Sequence, residues 1–381
     1  MTNRMIYIHI PFCVKKCAYC DFASYCVRPN DEIIRRYVDA LCDEIAMYAD
    51  KDVSITSIYI GGGTPSFLYS GAVERIMCAV REHFTTDIMS ECSIEVNPGV
   101  VDDEKLREYL DCGINRVSMG VQSFNDVELH AIGRVHSAYD AKQSYKLIRK
   151  WVDNVSLDIM TGLPGQTLKS LESTLRQAVS LAPKHVSCYA LTLAEGTPLY
   201  GDVLSGRATL PDEDLSADLS DMAWEYLTKN GYGQYEISNY ALPGYECRHN
   251  VGYWEQKEYY GFGAAASGYF RITSPGERYS NMRSTADYID AVHRRERPIE
   301  SQEILDTNTS MFEYIMLGLR MNRGILCENF RDKFDKNLLD VYTEAIDSLT
   351  HDGLMIADES GICLTKRGMD THNACVIKFL K

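Results

Sequence analysis

Along the first half of the chain, short apolar runs alternate with longer stretches whose apolar positions recur every three or four residues. The short runs are MIYIHI (5–10), SIYIG (57–61), CSIEVNP (92–98), NRVSMGV (115–121), NVSLDIM (154–160) and HVSCYAL (185–191). Their length and β-branched content predict strands. The segments between them predict amphipathic helices. Ile34, Val38, Leu41 and Ile45 form one stripe behind Asp31, a suitable N-cap. Asp102 or Asp103 opens EKLREYLDCG, which Gly113 closes, and Thr167 caps LKSLESTLRQAVSLAP. Six β–α units in succession predict an α/β fold with a parallel sheet, curled into a full or partial barrel of the (β/α)6 type. Chemistry in such folds sits at the carboxyl ends of the strands.

After about residue 230 the pattern changes. Residues 231–270 hold 11 aromatic side chains, against 39 in all 381 residues. From about 301 the chain reads helical again and ends in a hairpin, LMIADESGICLT, and a last helix. Three units are therefore expected: a barrel over 1–230, an aromatic-rich extension over 231–300, and a small helical, winged-helix-like domain over 301–381. The methionines of MFEYIMLGLRMN (311–322) fall at helical spacing and read as core.

Composition narrows the function classes. With 45% hydrophobic and 24% charged residues the chain is an ordinary soluble one, and no apolar run reaches the length of a membrane span. MTNRMIYIHIPF lacks the h-region of a signal peptide, so a cytoplasmic protein is expected. The 13 cysteines then read as reduced or metal-bound thiols and not as a disulfide framework. A net charge of −15 argues against nucleic acid, because no basic excess exists to displace counterions; residues 301–381, with 13 acids and 9 bases, argue the same for the carboxy-terminal domain.

Against this background IHIPFCVKKCAYCDF (8–22) stands out. Cys13, Cys17 and Cys20 lie in a C-x3-C-x2-C spacing on a loop directly after the first strand. Four thiolates would close a zinc site or an iron–sulfur cluster. Three leave one iron of a [4Fe–4S] cluster free to take an exogenous ligand. Buried structural cysteines, or zinc completed by a distant ligand such as Cys26, are the alternatives. GGGTP (61–65) follows the second strand, where glycines let backbone N–H groups approach a ligand.

The cysteine spacing, with Tyr19 before the last cysteine, resembles the radical S-adenosylmethionine (SAM) superfamily. The resemblance implies that SAM chelates the unique iron and is cleaved by an electron from the cluster to a 5′-deoxyadenosyl radical. YIHIPFC, GGGTPS, SIEVNP, SMGVQSF, IGR and LDIMTGLPGQT, in order from residue 7 to about 270, are similar to one branch. That branch comprises oxygen-independent coproporphyrinogen III oxidase and the HemW-type haem chaperones. It implies Tyr7 beside the cluster, Gly62, Gly63 and Thr64 lining SAM, and Glu95 bonded to a SAM hydroxyl. Gln122, Arg134 and Asp158 match positions that hold a second SAM in the oxidase.

Two features separate the relatives. The oxidases carry a long segment before the cysteines and a further cysteine two residues after the third; here 12 residues precede Cys13, and Phe22 occupies that later position. CRHNVGYW (247–254) matches the HN-x-x-YW motif of the chaperones through His249, Asn250, Tyr253 and Trp254. An imidazole can ligate haem iron and aromatic rings can face a porphyrin; on the residues alone a structural histidine among packing aromatics is the better reading, and the resemblance reverses that preference. His9 reads as structural or as part of the cluster's surroundings; His130 and His136 receive no role. The resemblance therefore implies a haem chaperone with a [4Fe–4S] cluster, SAM and haem. Its partners would be acceptor haemoproteins, including membrane-associated respiratory ones, with a peripheral membrane position and a homodimer as options. A radical coproporphyrinogen III oxidase, or a radical enzyme acting on another tetrapyrrole, is the alternative class.

Overall fold

The structure is a computed structural model that describes residues 2–29, 31–271 and 275–380. All six predicted strands are present: β1 (Thr2–Ile10), β2 (Asp50–Gly62), β3 (Phe84–Val96), β4 (Arg116–Gln122), β5 (Asn154–Thr161) and β6 (His185–Ala190). They pair in chain order, each parallel to the next. Asp31, Asp102 and Thr167 cap the helices Glu32–Met47, Asp103–Asp111 and Leu168–Ser180 through their side chains, as their residue types dictate.

The aromatic-rich stretch is shared between the two edges of this sheet. On one side β7 (Gly233–Glu236) and β8 (Asn239–Ala241) add antiparallel strands beyond β6. On the other, β9 (Tyr259–Phe262) lies parallel to β1, and β10 (Ser267–Phe270), β11 (Glu277–Asn281) and β12 (Ile299–Ile304) continue antiparallel. Among the described residues, twelve strands form one sheet in the order β12-β11-β10-β9-β1-β2-β3-β4-β5-β6-β8-β7. Among the described residues the two edges do not pair, so the barrel stays open.

Strict alternation along the strands explains why the sheet encloses chemistry. Ile6, Ile8 and Ile10, Ile58 and Ile60, Ile94 and Val96, Val117 and Met119, Val155 and Leu157 share one core with the helical stripe Ile34, Val38, Leu41 and Ile45. Side chains one residue out of phase point to the opposite face, and these are polar: Tyr7, Tyr59, Glu95, Ser118, Asp158 and Ser187. The carboxy-terminal unit has its own core, in which Met311 and Ile315 pack with Phe330, Leu338, Leu349 and Phe379. A three-stranded sheet (Ile325–Leu326, Gly361–Leu364, Met355–Asp358) supplies the expected hairpin. No helix among the described residues is long and apolar enough to cross a membrane.

One buried carboxylate ties the added strands to the barrel. Glu44, on the 32–47 helix, accepts from Gly263 N (2.8 Å), Asn281 Nδ2 (2.6 Å) and the Tyr288 hydroxyl (2.6 Å). Burial outweighs these bonds and pushes its pKa up to about 7 from 4.5. Between those two values the folded chain keeps a proton that the unfolded chain has released, so stability falls as pH rises through this window and is flat above it. Denaturant titrations from pH 5 to 7.5 should show wild type losing up to about 1.4 kcal/mol per pH unit more than Glu44→Gln. Equal slopes for the two proteins would refute the assignment.

Candidate active site

The cysteine loop leaves the end of β1 and is pinned at both ends by its own backbone. Phe12–Cys13 pairs with Tyr25–Cys26, with Tyr25 N donating to Pro11 O (2.7 Å) and Val27 N to Cys13 O (3.2 Å). The middle is held as well. Ala18 N donates to Ile132 O (2.9 Å) and Leu199 N to Ala18 O (2.8 Å), so the IGR segment forms a shelf under the loop. Cys13, Cys17 and Cys20 consequently face one cavity of about 680 Å³ at the carboxyl ends of the strands.

The glycine segment is built against this loop. Gly62 has φ +108, and a Cβ there would lie 2.6 Å from the His9 imidazole; at Gly63 it would lie 3.0 Å from Cys13 Sγ and 2.8 Å from Phe12 O. Glycine is required here first by packing between strand and loop. Thr64 Oγ1 donates towards Cys13 Sγ (3.5 Å) and accepts from Asn97 Nδ2 (2.9 Å). His9 bridges Tyr7 and the loop, its Nδ1 3.0 Å from the Tyr7 hydroxyl and its Nε2 3.0 Å from Ala23 O.

Charge in the cavity is arranged in opposed groups. Glu95 accepts from the Tyr59 hydroxyl (2.9 Å) and Gly62 N (3.1 Å). Burial, then the nearby Asp158, pushes its pKa up to about 7. Burial also raises Asp158, opposed by bonds from Ser187 and Ser118 (3.0 Å) and by Arg116. Two buried acids with raised pKa values favour a cationic ligand, whose charge would ionise both. Arg134 donates from Nη1 to Cys17 Sγ (3.4 Å) and from Nη2 to Asn97 Oδ1 (2.7 Å) and Gly120 O, fixing a positive charge against one thiol. Gln122 sits at φ 68 after a bulge that turns it inward, where Tyr189 donates to its Oε1 (3.1 Å).

The residues of this cavity fit an iron–sulfur cluster. Among the described residues, no three His, Cys, Asp or Glu side chains converge on a single ion. A cubane does not need them to, because each thiolate binds its own iron. Burial raises the Cys13 and Cys20 thiols, as expected of ligands that lose their protons only to metal.

The helix Arg248–Trp254 divides the HN-x-x-YW motif between its two faces. Asn250 and Trp254, one turn apart, line the large cavity together with Tyr19, Gly62, Gly63, Thr64, Glu95, Gln122, Arg134 and Asp158. His249 and Tyr253 turn away. His249 is 1% exposed, with Nδ1 2.9 Å from Ser57 Oγ and its ring between Tyr59 (5.3 Å) and Tyr253 (4.8 Å). Burial and the Arg116 charge lower its pKa to about 3, so the ring is neutral, and Nε2 has no partner among the described residues. Tyr7 and Tyr253 line a second, shallower pocket of about 360 Å³ with Phe22, Tyr259 and Arg283.

Several lining residues were not among the site residues expected from the sequence. Arg116, Tyr59, Ser118, Tyr189 and Arg320 all line the cavity, and Glu91 anchors the 248–254 helix by accepting from Arg248 N (3.1 Å) and His249 N (3.0 Å). The first four lie on strands next to those of the two acids: Ser118 pairs with Glu95, Tyr59 and Arg116 with Ser93, and Tyr189 with Met160, a cross-strand register that alternation along one strand does not give. Arg320 has no signal of either kind.

Comparison with known proteins bears on the family and the fold. Residues 7–178 match the Radical SAM superfamily, and residues 305–370 match the HemN C-terminal domain. The chain is 36% identical to the "Heme chaperone HemW" of Lactococcus lactis subsp. lactis (strain IL1403), over 98% of this chain and 96% of that one. It is 36% identical to the "Heme chaperone HemW" of Bacillus subtilis (strain 168), over 99% of each. Its fold superimposes on coproporphyrinogen III oxidase (HemN) from Escherichia coli with a TM-score of 0.86 at 23% identity, covering 100% of this chain and 90% of that one.

Proposed function

The chain belongs to the HemW family of the radical SAM superfamily, and from that premise we propose that it is a haem chaperone. It holds a [4Fe–4S] cluster on Cys13, Cys17 and Cys20, binds SAM beside Glu95 and the glycine segment, and delivers haem to acceptor haemoproteins. The observation that carries this reading is a single cavity that joins the cysteine loop to Asn250 and Trp254 of the HN-x-x-YW helix. A cluster with one open iron supplies a coordination position for the amino and carboxylate groups of SAM and a single electron. The chain's own residues do the rest. Glu95 and Asp158 match the positive charge of SAM, and Tyr59 and Gly62 orient the Glu95 carboxylate. Arg134, in the position that corresponds to a second SAM in the oxidase, is engaged with Cys17 and Asn97. Trp254 offers an aromatic wall, and His249 a neutral imidazole that a haem iron reaches only if the rings of Tyr59 or Tyr253 yield.

The competing reading is a coproporphyrinogen III oxidase. Reconstituted protein, incubated without oxygen with coproporphyrinogen III, SAM and a reductant, should form no protoporphyrinogen. The same protein should bind haem and pass it to an apo-haemoprotein. Catalytic protoporphyrinogen formation would overturn the chaperone reading.

A further inference from the structure

The end of the large cavity nearest the amino ends of the strands holds more hydrogen-bond donors than it uses. Arg116 lies one inward-facing position before Ser118 on β4 and is 1% exposed. Among the described residues its Nε and Nη1 have no partner, nor do Trp254 Nε1 and Arg320 Nε. All three side chains line the cavity. Asn239 Oδ1 is an unpartnered acceptor beside them, so donors prevail.

Glu95 and Asp158 feel the Arg116 charge but take their bonds from Tyr59, Gly62 and Ser118, and the other nearby acids are engaged as well. Glu91 already accepts from Arg248 N and His249 N, and the Cys247 thiol lies 3.5 Å from it. Glu236 accepts from Ser238 N (2.9 Å), from Asn239 Nδ2 and from Arg320 Nη2 (3.3 Å). Arg320 comes from the carboxy-terminal unit and stacks over the Trp254 ring, 4.3 Å from its centroid. That unit is anchored here by Ile237 N donating to Arg320 O (3.1 Å) and Asn322 N to Tyr235 O (3.1 Å). It therefore closes the wall with a second guanidinium.

A buried guanidinium without acceptors is costly, and the ligand that relieves it best is a carboxylate, through charge-assisted bonds. We propose that this end of the cavity binds a carboxylate arm of the tetrapyrrole, with Arg116 and Trp254 Nε1 as donors and Arg320 holding Trp254 in place. The inference rests on the haem reading and adds the group by which haem is recognised. The cavity then has two poles: Glu95 and Asp158 take the cation of SAM, and Arg116 takes the anion of the tetrapyrrole.

The test compares haem with haem dimethyl ester, which has the same ring and iron but no carboxylate, on unaltered cluster-loaded protein. The free acid should bind about tenfold or more tightly than the ester. Trp254→Phe, which keeps the ring and removes the donor, should weaken the acid and leave the ester unchanged, and Arg116→Gln should narrow the gap further. Equal affinities of wild type for acid and ester would overturn the carboxylate site while leaving haem binding intact. Binding of neither ligand would remove the haem reading and this inference with it. A SAM titration separates the other source of a carboxylate: an equal loss of SAM affinity in Trp254→Phe would assign the site to the methionyl group and overturn the proposal.

Discussion

Replacing Cys13, Cys17 and Cys20 together by alanine should leave anaerobically reconstituted protein with no iron or sulfide above background and no visible absorption from a cluster. Folding should survive, because the loop is held by backbone bonds at Pro11, Cys13 and Ala18 that do not involve the thiols. A Cys26→Ser variant should retain full iron and sulfide. Cys26 sits across the two-residue ladder from Cys13 but is exposed and does not line the cavity. Iron and sulfide are measured on each protein beside its circular dichroism. A full complement in the triple variant would refute the cluster assignment. Loss in Cys26→Ser would mean a closed, four-thiolate site with no position for SAM.

Glu95→Gln should weaken SAM binding by about 10- to 150-fold, the range for losing a hydrogen bond to a charged group, with cluster content unchanged. The pH dependence gives a second readout. In the ligand-free protein the Glu95 pKa is raised to about 7, so below that value the site is protonated and meets a cation poorly. SAM affinity of the cluster-loaded protein should therefore rise from pH 6 to about 7.5 and then level off, and Glu95→Gln should lose that rise. Equilibrium dialysis at four pH values measures both effects. An unchanged affinity in the variant would place the SAM hydroxyl elsewhere.

The six core strands and their caps were legible because each rests on local rules. Apolar runs such as SIYIG alternate in period two, and Asp31 and Thr167 are residue types that accept backbone N–H bonds. The cysteine loop and glycine segment were legible for a related reason: their spacing is short-range, and each follows directly from a strand. The seventh parallel strand, β9, was not. YYGF lies some 250 residues from its partner β1, and its pairing depends on the whole barrel having formed first.

Resemblance to the family marked Glu95 and Asp158, whereas the chain by itself determined the six parallel strands of a full or partial α/β barrel and the three thiols on the loop after the first strand. Those strands and thiols follow from periodicity and short spacing, which a sequence carries directly. Tertiary structure alone decided that the HN-x-x-YW helix splits its motif, sending Asn250 and Trp254 into the cavity and His249 into a sealed aromatic cage. It also decided that Arg320 of the carboxy-terminal unit completes the wall beside Arg116. The reason is physical: which face of a seven-residue helix meets a cavity, and which distant side chain seals it, is set by packing across the sheet and not by any local pattern.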